Sequence, residues 1–227
     1  MRNVGTFVDL VAGDAKAFRP LTEAEAFRIL DHECRDQHLW ALALYGMRRG
    51  EIAGLRWANV DLKAKTVRIE ENRVALGKQI ASGTPKSKAS NRTLPMPDDV
   101  VDLLRAARTR QTEERLRFGE GYGSGDYVAV DEAGVEYHPN LLTFRWGKLL
   151  DDLGIRRVRL HDARHSCATL MHLRGVPIAV IAAWLGHASA AFTMSVYAHS
   201  QDDALQAAAD SFSRVVTFRD TETGSDG

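Results

Sequence analysis

The sequence predicts an α+β fold that is mostly α-helical and has one small antiparallel sheet. Capping residues and glycine stops mark a series of helices, residues 66–70 alternate with the period of two typical of a strand, and 44% of the 227 residues are hydrophobic. A chain of this size and composition can bury a sizeable core. We therefore expect one ordered domain over residues 20–213, with a leader or linker stub at 1–19 and a flexible acidic tail at 214–227.

The predicted domain begins with three helices. Thr22, followed three residues later by Glu25, forms a capping box that starts the first helix. The second helix covers residues 36–45, has a strongly apolar centre and ends at Gly46, a residue suited to a helix C-terminus. A third, short helix follows Arg48.

The predicted sheet lies in the middle of the chain. Residues 66–70 are expected to pair with residues 74–80 and 91–94 as antiparallel strands. Between the last two strands, residues 82–90 form a polar loop by composition. A further short strand is predicted at residues 127–130.

Helices make up most of the second half of the chain. A long helix begins at Pro97, and Pro139 begins another that ends before Gly154. Gly175 and Gly186 are the predicted stops of the next two helices. The helices predicted here cover residues 97–118, 139–153, 161–174, 177–185, 192–198 and 202–212.

Composition argues against a membrane-spanning protein and against a disulfide framework. No apolar run approaches the ~20 residues that a membrane span needs, and the N-terminus lacks a signal-peptide core, so we expect a cytoplasmic protein. Two cysteines, Cys34 and Cys167, are expected to be reduced. The formal net charge of +0 conceals an asymmetry, because residues 1–118 carry 21 Lys+Arg against 16 Asp+Glu. A basic face for nucleic acid and an ordinary mixed-charge surface both agree with these counts.

Six side chains are candidates for chemistry, and each also has an ordinary structural explanation. Arginines beside turns and lysines in polar loops are usually solvated, histidines at helix ends are usually caps or core residues, and tyrosines are usually half-buried. His161 and Arg164 lie three positions apart and so share one face of a helix. Because His161 is near the helix N-terminus, the positive end of the dipole disfavours its protonated form and suits it to act as a base. The six candidates are Arg48, Lys86, His161, Arg164, His187 and Tyr197.

Taken together and in order, the motifs around these residues resemble those of one family. They are Gly-Met-Arg-Arg-Gly-Glu at 46–51, a lysine in a polar hairpin loop, His-Asp-Ala-Arg-His at 161–165, Leu-Gly-His at 185–187 and Tyr-Ala-His at 197–199. This pattern resembles the catalytic domain of the tyrosine recombinases, the phage integrase family, over roughly residues 19–200. The resemblance implies the tyrosine recombinase catalytic-domain fold and a site-specific DNA recombinase or integrase.

The resemblance implies a role for each candidate. Tyr197 is the nucleophile that attacks a DNA phosphodiester and leaves a 3′-phosphotyrosyl link. Arg48 and Arg164 hold the non-bridging oxygens and stabilise the charge of the transition state, for which fixed guanidinium groups are suited. Lys86, chosen over Lys88 because it directly follows Thr84-Pro85 as in the family, is the general acid for the departing 5′-hydroxyl. His161 is the general base that takes the tyrosine proton.

His187 is implied to donate a hydrogen bond to the phosphate, and Glu51 to have a supporting role. From the residues alone, Glu51 is either a first-turn acid favoured by the helix dipole or a buried carboxylate that orients Arg48.

The implied reaction needs no metal, no ATP and no other cofactor, because protein groups hold the charge and the covalent link stores the bond energy. The implied partners are double-stranded DNA, further copies of the chain in a DNA-bound tetramer, and accessory DNA-bending proteins, inside a bacterial host.

The resemblance is to part of a recombinase. Family members usually carry an N-terminal helical domain that closes around DNA, and such a domain does not fit within residues 1–19. The chain is therefore expected to be either an excised catalytic domain, which we favour, or an unusually short protein. Its DNA binding is expected to be weak and salt-sensitive. The apolar side of residues 202–212 is expected to pack either on its own domain or on a neighbouring subunit.

Other functions also fit parts of the pattern. His161 and His165 have the spacing of a zinc-protease helix, but Asp-Ala-Arg lies between them and a third ligand is not evident. The His161-Asp162 pair is similar to that of metal phosphohydrolases, whose other motifs are absent. A type IB topoisomerase shares the same set of reactive residues but relaxes supercoils. A DNA-binding module without catalysis is a further alternative, although all six candidate residues are present.

Overall fold

The computed structural model describes residues 19–77, 79–83 and 91–187. Predictions that lie outside these residues concern most of the leader, Lys86, Tyr197, the helices at 192–198 and 202–212, and the tail. The described elements are α1 Glu23–Leu30, α2 Gln37–Leu44, α3 Arg49–Gly54, β1 Val60–Asp61, β2 Thr66–Ile69, β3 Asn72–Leu76, β4 Gln79–Gly83, β5 Arg92–Pro95, α4 Asp98–Phe118, α5 Pro139–Asp152, α6 Leu160–Leu173 and α7 Ile178–Leu185.

The predicted fold class is confirmed, with the strands divided between two small antiparallel sheets instead of one. In the first sheet β2 pairs with β1 on one side and with β5 on the other, where Val67 lies opposite Leu94. The segment predicted as one strand, residues 74–80, contains a turn at Gly77, whose φ of 60° suits glycine. That turn pairs β3 with β4 as a separate hairpin.

The strand predicted at residues 127–130 does not form as a regular strand. Tyr127 makes an isolated bridge with Arg56, and Val130 makes one with Glu136. Because each partner lies on a different segment and pairs a single residue, no ladder extends along this stretch.

The centre of the core is α2. Its residues are apolar on nearly all sides, so the helix is buried between α1, α4 and α6. Trp40 of α2 contacts Trp146 of α5 with ring centroids 5.6 Å apart and ring planes at 56°. Such a pair contributes about 0.5–1.5 kcal/mol beyond the area that it buries.

The turn between α2 and α3 lies against α6 and α7. Gly46 ends α2 with a φ of 97°, a conformation that glycine adopts without strain. A Cβ atom on Gly46 would lie 3.0 Å from Leu185 Cδ2 and 3.4 Å from Cys167 Sγ. Glycine therefore allows a close approach, and Arg48, at the start of α3, is placed beside the end of α7.

Two sequence expectations concern the whole chain rather than one element. Among the helices of residues 19–77 and 91–187, none is both long enough and apolar enough to cross a membrane. Cys34 and Cys167 are free thiols. Burial raises the pKa of Cys167 to about 11, so this thiol is a weak nucleophile at neutral pH.

Candidate active site

Arg48 and Glu51 form a closed pair at the start of α3. Glu51 is the third residue of the helix, so its carboxylate reaches back over the first turn. Glu51 Oε2 accepts a hydrogen bond from the Arg48 backbone N–H at 2.8 Å, and Glu51 Oε1 accepts one from Arg48 Nη1 at 2.7 Å. Only 2% of Glu51 is exposed, so it is a buried carboxylate that orients Arg48. The adjacent Arg49 turns away and donates to Asn140 and Thr143.

Arg92, the first residue of β5, binds the same carboxylate. Its Nη1 and Nη2 atoms donate to the two carboxylate oxygens of Glu51 at 3.0 Å each, which is a bidentate ion pair. Its Nε donates to the Trp184 carbonyl at 2.6 Å. Burial alone raises the pKa of Glu51, but the hydrogen bonds and positive charges of Arg92 and Arg48 outweigh burial and hold that pKa below its ordinary value.

Arg164 projects from α6 into the same junction. Its side chain is 1% exposed and is among the largest fully buried side chains of the described residues. Arg164 Nη1 donates to the Gly46 carbonyl at 2.6 Å, and Nη2 donates to the Leu185 carbonyl. These two bonds attach α6 both to the turn before α3 and to the end of α7.

The three arginines meet at the C-terminal turn of α7. The last carbonyls of a helix have no partner within the helix and lie at the negative end of its dipole, so cationic donors suit them. Three successive carbonyls each accept a hydrogen bond from a different guanidinium group. The pairs are Arg92–Trp184, Arg164–Leu185 and Arg48–Gly186.

Two histidines of α6 lie next to this cluster. His161, in the first turn of the helix, and His165 have ring centroids 4.9 Å apart and ring planes at 87°. Burial, followed by the positive charge of Arg164, lowers the pKa of His161 and outweighs the opposing effect of Asp162. Burial and the neighbouring His161 likewise lower the pKa of His165. Both imidazoles are therefore neutral at pH 7, the form that a proton acceptor requires.

His187 directly follows the end of α7. Gly186 closes the helix with a φ of 63°, and the His187 N–H donates to the Ala182 carbonyl at 2.9 Å, as in a Schellman motif. Burial and the positive charges of Arg164 and Arg48 lower the pKa of His187 to about 4. His187 is thus also neutral at pH 7.

The structure brings four of the six predicted site residues together. The charges of Arg48 and Arg164 act on both His161 and His187, and both guanidinium groups bond to the same turn of α7. Lys86 and Tyr197 lie outside the described residues. The four described side chains come from the start of α3, the first two turns of α6 and the residue that follows α7.

The sequence interpretation missed Arg92 as part of this site. One signal could have indicated it. Residues two apart in a strand share a face, and Leu94, two positions after Arg92, is buried. The alternation in β5 therefore predicts an arginine that points inward, and an inward arginine needs an acidic or carbonyl partner.

The cluster is suited to bind an anion. Arg48 and Arg92 share one carboxylate, that of Glu51, and Arg164 adds a third positive charge. The nearby Asp162 carboxylate is paired with Arg159. Guanidinium groups held by buried contacts present donors in a fixed geometry to phosphate oxygens. Neutral imidazoles nearby can accept or donate a hydrogen bond as required.

The histidine pair of α6 lacks companions for a metal site in the described part of the chain. Within residues 19–77, 79–83 and 91–187, no group of three or more His, Cys, Asp or Glu side chains could hold a metal ion. The zinc-protease spacing of His161 and His165 therefore has no third ligand of these types in this part of the molecule.

The fold is that of tyrosine recombinase catalytic domains. The structure is similar to the Tn1549 transposon integrase in complex with transposon right end DNA, with a TM-score of 0.73 and 17% identity over 90% of this chain and 69% of that chain. It is also similar to the crystal structure of XerA recombinase, with a TM-score of 0.66 and 26% identity over 86% of this chain and 65% of that chain.

The chain belongs to the phage integrase family, whose family model matches residues 20–204. It is 31% identical to a tyrosine recombinase XerC-like protein of Caldanaerobacter subterraneus subsp. tengcongensis over 170 residues, 68% of this chain and 42% of the relative. It is 28% identical to the prophage integrase IntR of Escherichia coli K12 over 201 residues, 81% of this chain and 48% of the relative. The chain thus spans less than half the length of these curated relatives.

Proposed function

We propose that this chain is the catalytic domain of a site-specific DNA recombinase or integrase, extending over residues 20–213. One observation carries the proposal: Arg48 and Arg164, from different helices, converge on the C-terminal turn of α7 in a member of the phage integrase family. Two fixed guanidinium groups beside neutral imidazoles fit a phosphodiester whose negative charge increases during attack.

In the proposed reaction the phenol oxygen of Tyr197 attacks the phosphorus atom of a DNA phosphodiester. The new bond to phosphorus forms as the bond to the 5′-oxygen breaks, so a 3′-phosphotyrosyl ester replaces the original ester. His161 accepts the phenol proton, and Lys86 gives a proton to the departing 5′-oxygen. Arg48 and Arg164 bind the non-bridging oxygens, on which the added charge develops.

The remaining residues support this chemistry. His187 donates a hydrogen bond to one of the same oxygens, and Glu51 keeps Arg48 in place. The proposed reaction uses no metal and no other cofactor, because guanidinium and imidazole groups supply the electrostatic stabilisation. Attack of a 5′-hydroxyl on the phosphotyrosyl ester restores a DNA diester, so rejoining uses no ATP.

The proposed partners follow from the reaction. Exchange between two duplexes breaks four strands, and each copy of the chain supplies one nucleophile, so we propose a tetramer on double-stranded DNA. Accessory DNA-bending proteins are further proposed partners, and the proposed location is the bacterial cytoplasm, on DNA. The similar structures include complexes with DNA, among them the Tn1549 transposon integrase and the XerH recombinase bound to a palindromic difH substrate, which supports DNA as the substrate class.

A covalent-capture experiment tests the proposal. The chain is incubated with DNA duplexes that have a randomised core and a nick just downstream of that core. After cleavage the short fragment with the 5′-hydroxyl diffuses away, so it cannot rejoin and the covalent adduct accumulates. Denaturing gels then show a protein–DNA adduct, and sequencing of the captured DNA gives the preferred site. The Tyr197→Phe variant is the matched control, because it keeps the ring but lacks the nucleophile.

The outcomes separate the proposed function from its alternatives. An adduct with a defined sequence preference, absent from Tyr197→Phe, supports a recombinase. Sequence-tolerant relaxation of supercoiled plasmid would instead favour a type IB topoisomerase. DNA binding with no adduct at any sequence would favour a non-catalytic DNA-binding module.

A further inference from the structure

We propose that Arg92 is a positioning residue, which holds Arg48 through Glu51 and fixes the end of α7 onto which the site arginines converge. This inference rests on the proposed function and deepens it, since it adds a residue to the same site. Arg92 lies outside the six reactive candidates, and its role follows from its contacts.

The contacts of Arg92 are directed at protein groups. Its Nη1 and Nη2 atoms donate to Glu51, and its Nε donates to the Trp184 carbonyl. Its side chain is only 7% exposed, whereas that of Arg48 is 29% exposed. Three of its five N–H groups already donate to the protein, and Arg48 is the more exposed of the two guanidinium groups that share the Glu51 carboxylate. We therefore assign Arg92 a role that acts through Glu51 and α7.

Glu51 transmits this effect to Arg48. Its carboxylate has four contacts within 3.0 Å, two with Arg92 and two with Arg48. A carboxylate held only by Arg48 could rotate with it, whereas the bidentate contact with Arg92 fixes its plane. The plane of the Glu51 carboxylate then fixes Arg48 Nη1.

The second connection of Arg92 is to α7. Arg92 holds the Trp184 carbonyl, and the next two carbonyls, of Leu185 and Gly186, bind Arg164 and Arg48. Trp184 is also held through its side chain, because its indole N–H donates to the Tyr45 carbonyl at 2.9 Å. Removal of Arg92 would therefore loosen the turn on which the other two guanidinium groups depend.

Arg73 provides a matched control within the same chain. It is also a buried arginine, 4% exposed, with a carboxylate partner in Glu136 and a carbonyl partner in Ala53. It makes none of the contacts of the α7 turn described above. Arg92→Met and Arg73→Met thus each remove a buried guanidinium group with its carboxylate and carbonyl contacts, one at the site and one elsewhere. The carboxylate partner differs, because the side chain of Glu136 is 39% exposed and that of Glu51 is 1% exposed.

Two measurements test the inference. The first, without DNA, is the NMR signal of the Arg48 Nε–H group, which reports how this guanidinium is held. The second is the single-turnover rate of cleavage at a saturating concentration of the DNA site identified by covalent capture. The dissociation constant for that DNA is measured separately. For Arg92→Met we expect a displaced or broadened Arg48 signal. We also expect a cleavage rate reduced on the order of 100-fold, with a dissociation constant changed less than about threefold. The rate falls more than the affinity because a mispositioned group weakens mainly the binding of the transition state.

Further variants keep the test decisive. Arg92→Lys retains the charge and one donor but not the bidentate contact, so we expect an intermediate loss and a fold close to wild type. In the double variant Arg92→Met/Glu51→Gln the loss should not exceed that of the more affected single variant, because both changes break one connection. A neutral methylphosphonate linkage at the cleaved position should reduce the effect of Arg92→Met, since less charge must be stabilised there.

Each outcome decides for or against the inference. An unmoved Arg48 signal in Arg92→Met, or a cleavage rate no lower than that of Arg73→Met, would overturn it. Equal losses in Arg92→Met and Arg73→Met would assign Arg92 a purely structural role. If the wild-type chain forms no adduct, the proposed function fails, while the Arg48 signal still supports or refutes the positioning of Arg48 by Arg92.

Discussion

Arg48 and Gly186 lie 138 positions apart in the chain, and Arg48 Nη2 donates to the Gly186 carbonyl at 3.1 Å. This bond joins the start of α3 to the residue that ends α7. It makes the position of an arginine proposed to be catalytic depend on the backbone conformation of a glycine. The φ of 63° at Gly186 is the left-handed conformation, which side chains with a Cβ disfavour.

A Gly186→Ala substitution tests this dependence. Alanine in the left-handed conformation costs about 1–2 kcal/mol, so we expect the free energy of unfolding to fall by that amount. If the backbone at position 186 changes conformation instead, the carbonyl of that residue moves away from Arg48 Nη2 and the rate of cleavage falls. Urea unfolding measures the first effect, and covalent capture measures the second.

Gly186→Asn is the control for the same position. Asparagine adopts the left-handed conformation more readily than alanine, so the loss should be smaller in both measurements. An alanine variant as stable and as active as wild type would show that the turn does not need its left-handed residue.

The buried carboxylate of Glu51 gives a second prediction. Glu51→Gln keeps the shape but removes the negative charge that faces Arg48 and Arg92. Removing one partner of a buried ion pair typically costs about 3–5 kcal/mol, so we expect the free energy of unfolding of Glu51→Gln to be lower than that of wild type by an amount of that order. Urea unfolding at pH 7 measures it.

Glu113→Gln is the comparison for this loss. Glu113 is an exposed residue of α4, and substitutions at such positions usually change stability by less than about 0.5 kcal/mol. Equal effects of the two substitutions would contradict the assigned role of the Glu51 carboxylate.

Local signals in the sequence were sufficient to predict the helix ends. The capping box forms as predicted, with the Thr22 N–H donating to Glu25 Oε2 at 2.8 Å and the Glu25 N–H donating to Thr22 Oγ1 at 3.2 Å. Gly46, Gly175 and Gly186 follow helices with positive φ. These features depend on residues within one turn, which is why a linear pattern reveals them.

Contacts between distant segments could not be predicted in the same way. Arg92 binds partners 41 and 92 positions away, and nothing near it in the sequence specifies them.

The division of the strands into two sheets has a similar cause. Residues 74–80 carry an apolar pattern that fits one strand, and only the positive φ at Gly77 turns the chain back on itself. The order of motifs predicted the family, but not the packing that joins them.

A third prediction concerns stability at low pH. His38 of α2 is 4% exposed, and burial, together with the positive charge of Arg110, lowers its pKa to about 3. In the unfolded chain its pKa returns to about 6.5. The unfolded state therefore binds more protons below pH 6.5, and the free energy of unfolding falls as the pH falls. Between pH 7 and pH 4.5 we expect His38 to account for a loss on the order of 2 kcal/mol.

Urea unfolding of wild type and His38→Gln at both pH values isolates this contribution. Glutamine can also contact the Val128 carbonyl, which lies 3.4 Å from His38 Nε2, but it does not titrate. The variant should therefore lose less stability than wild type on acidification. Equal losses would show that other groups cause the acid sensitivity.

The last prediction is the pH dependence of cleavage, which follows from His161 as the proposed base. Its pKa is lowered by burial and by Arg164, so it stays neutral down to below the ordinary histidine value of about 6.5. We expect a single-turnover rate at saturating DNA that is flat from neutral pH to about pH 6.5 and falls below that value as the imidazole becomes protonated. A rate that already falls above pH 7 would exclude this assignment.

The His161→Gln variant tests the same assignment. It should lose much of the cleavage rate and also the fall of the rate at acidic pH, because it has no imidazole to titrate at this position. DNA binding measured at each pH separates a loss of chemistry from a loss of affinity, since only the former reports the protonation of the base.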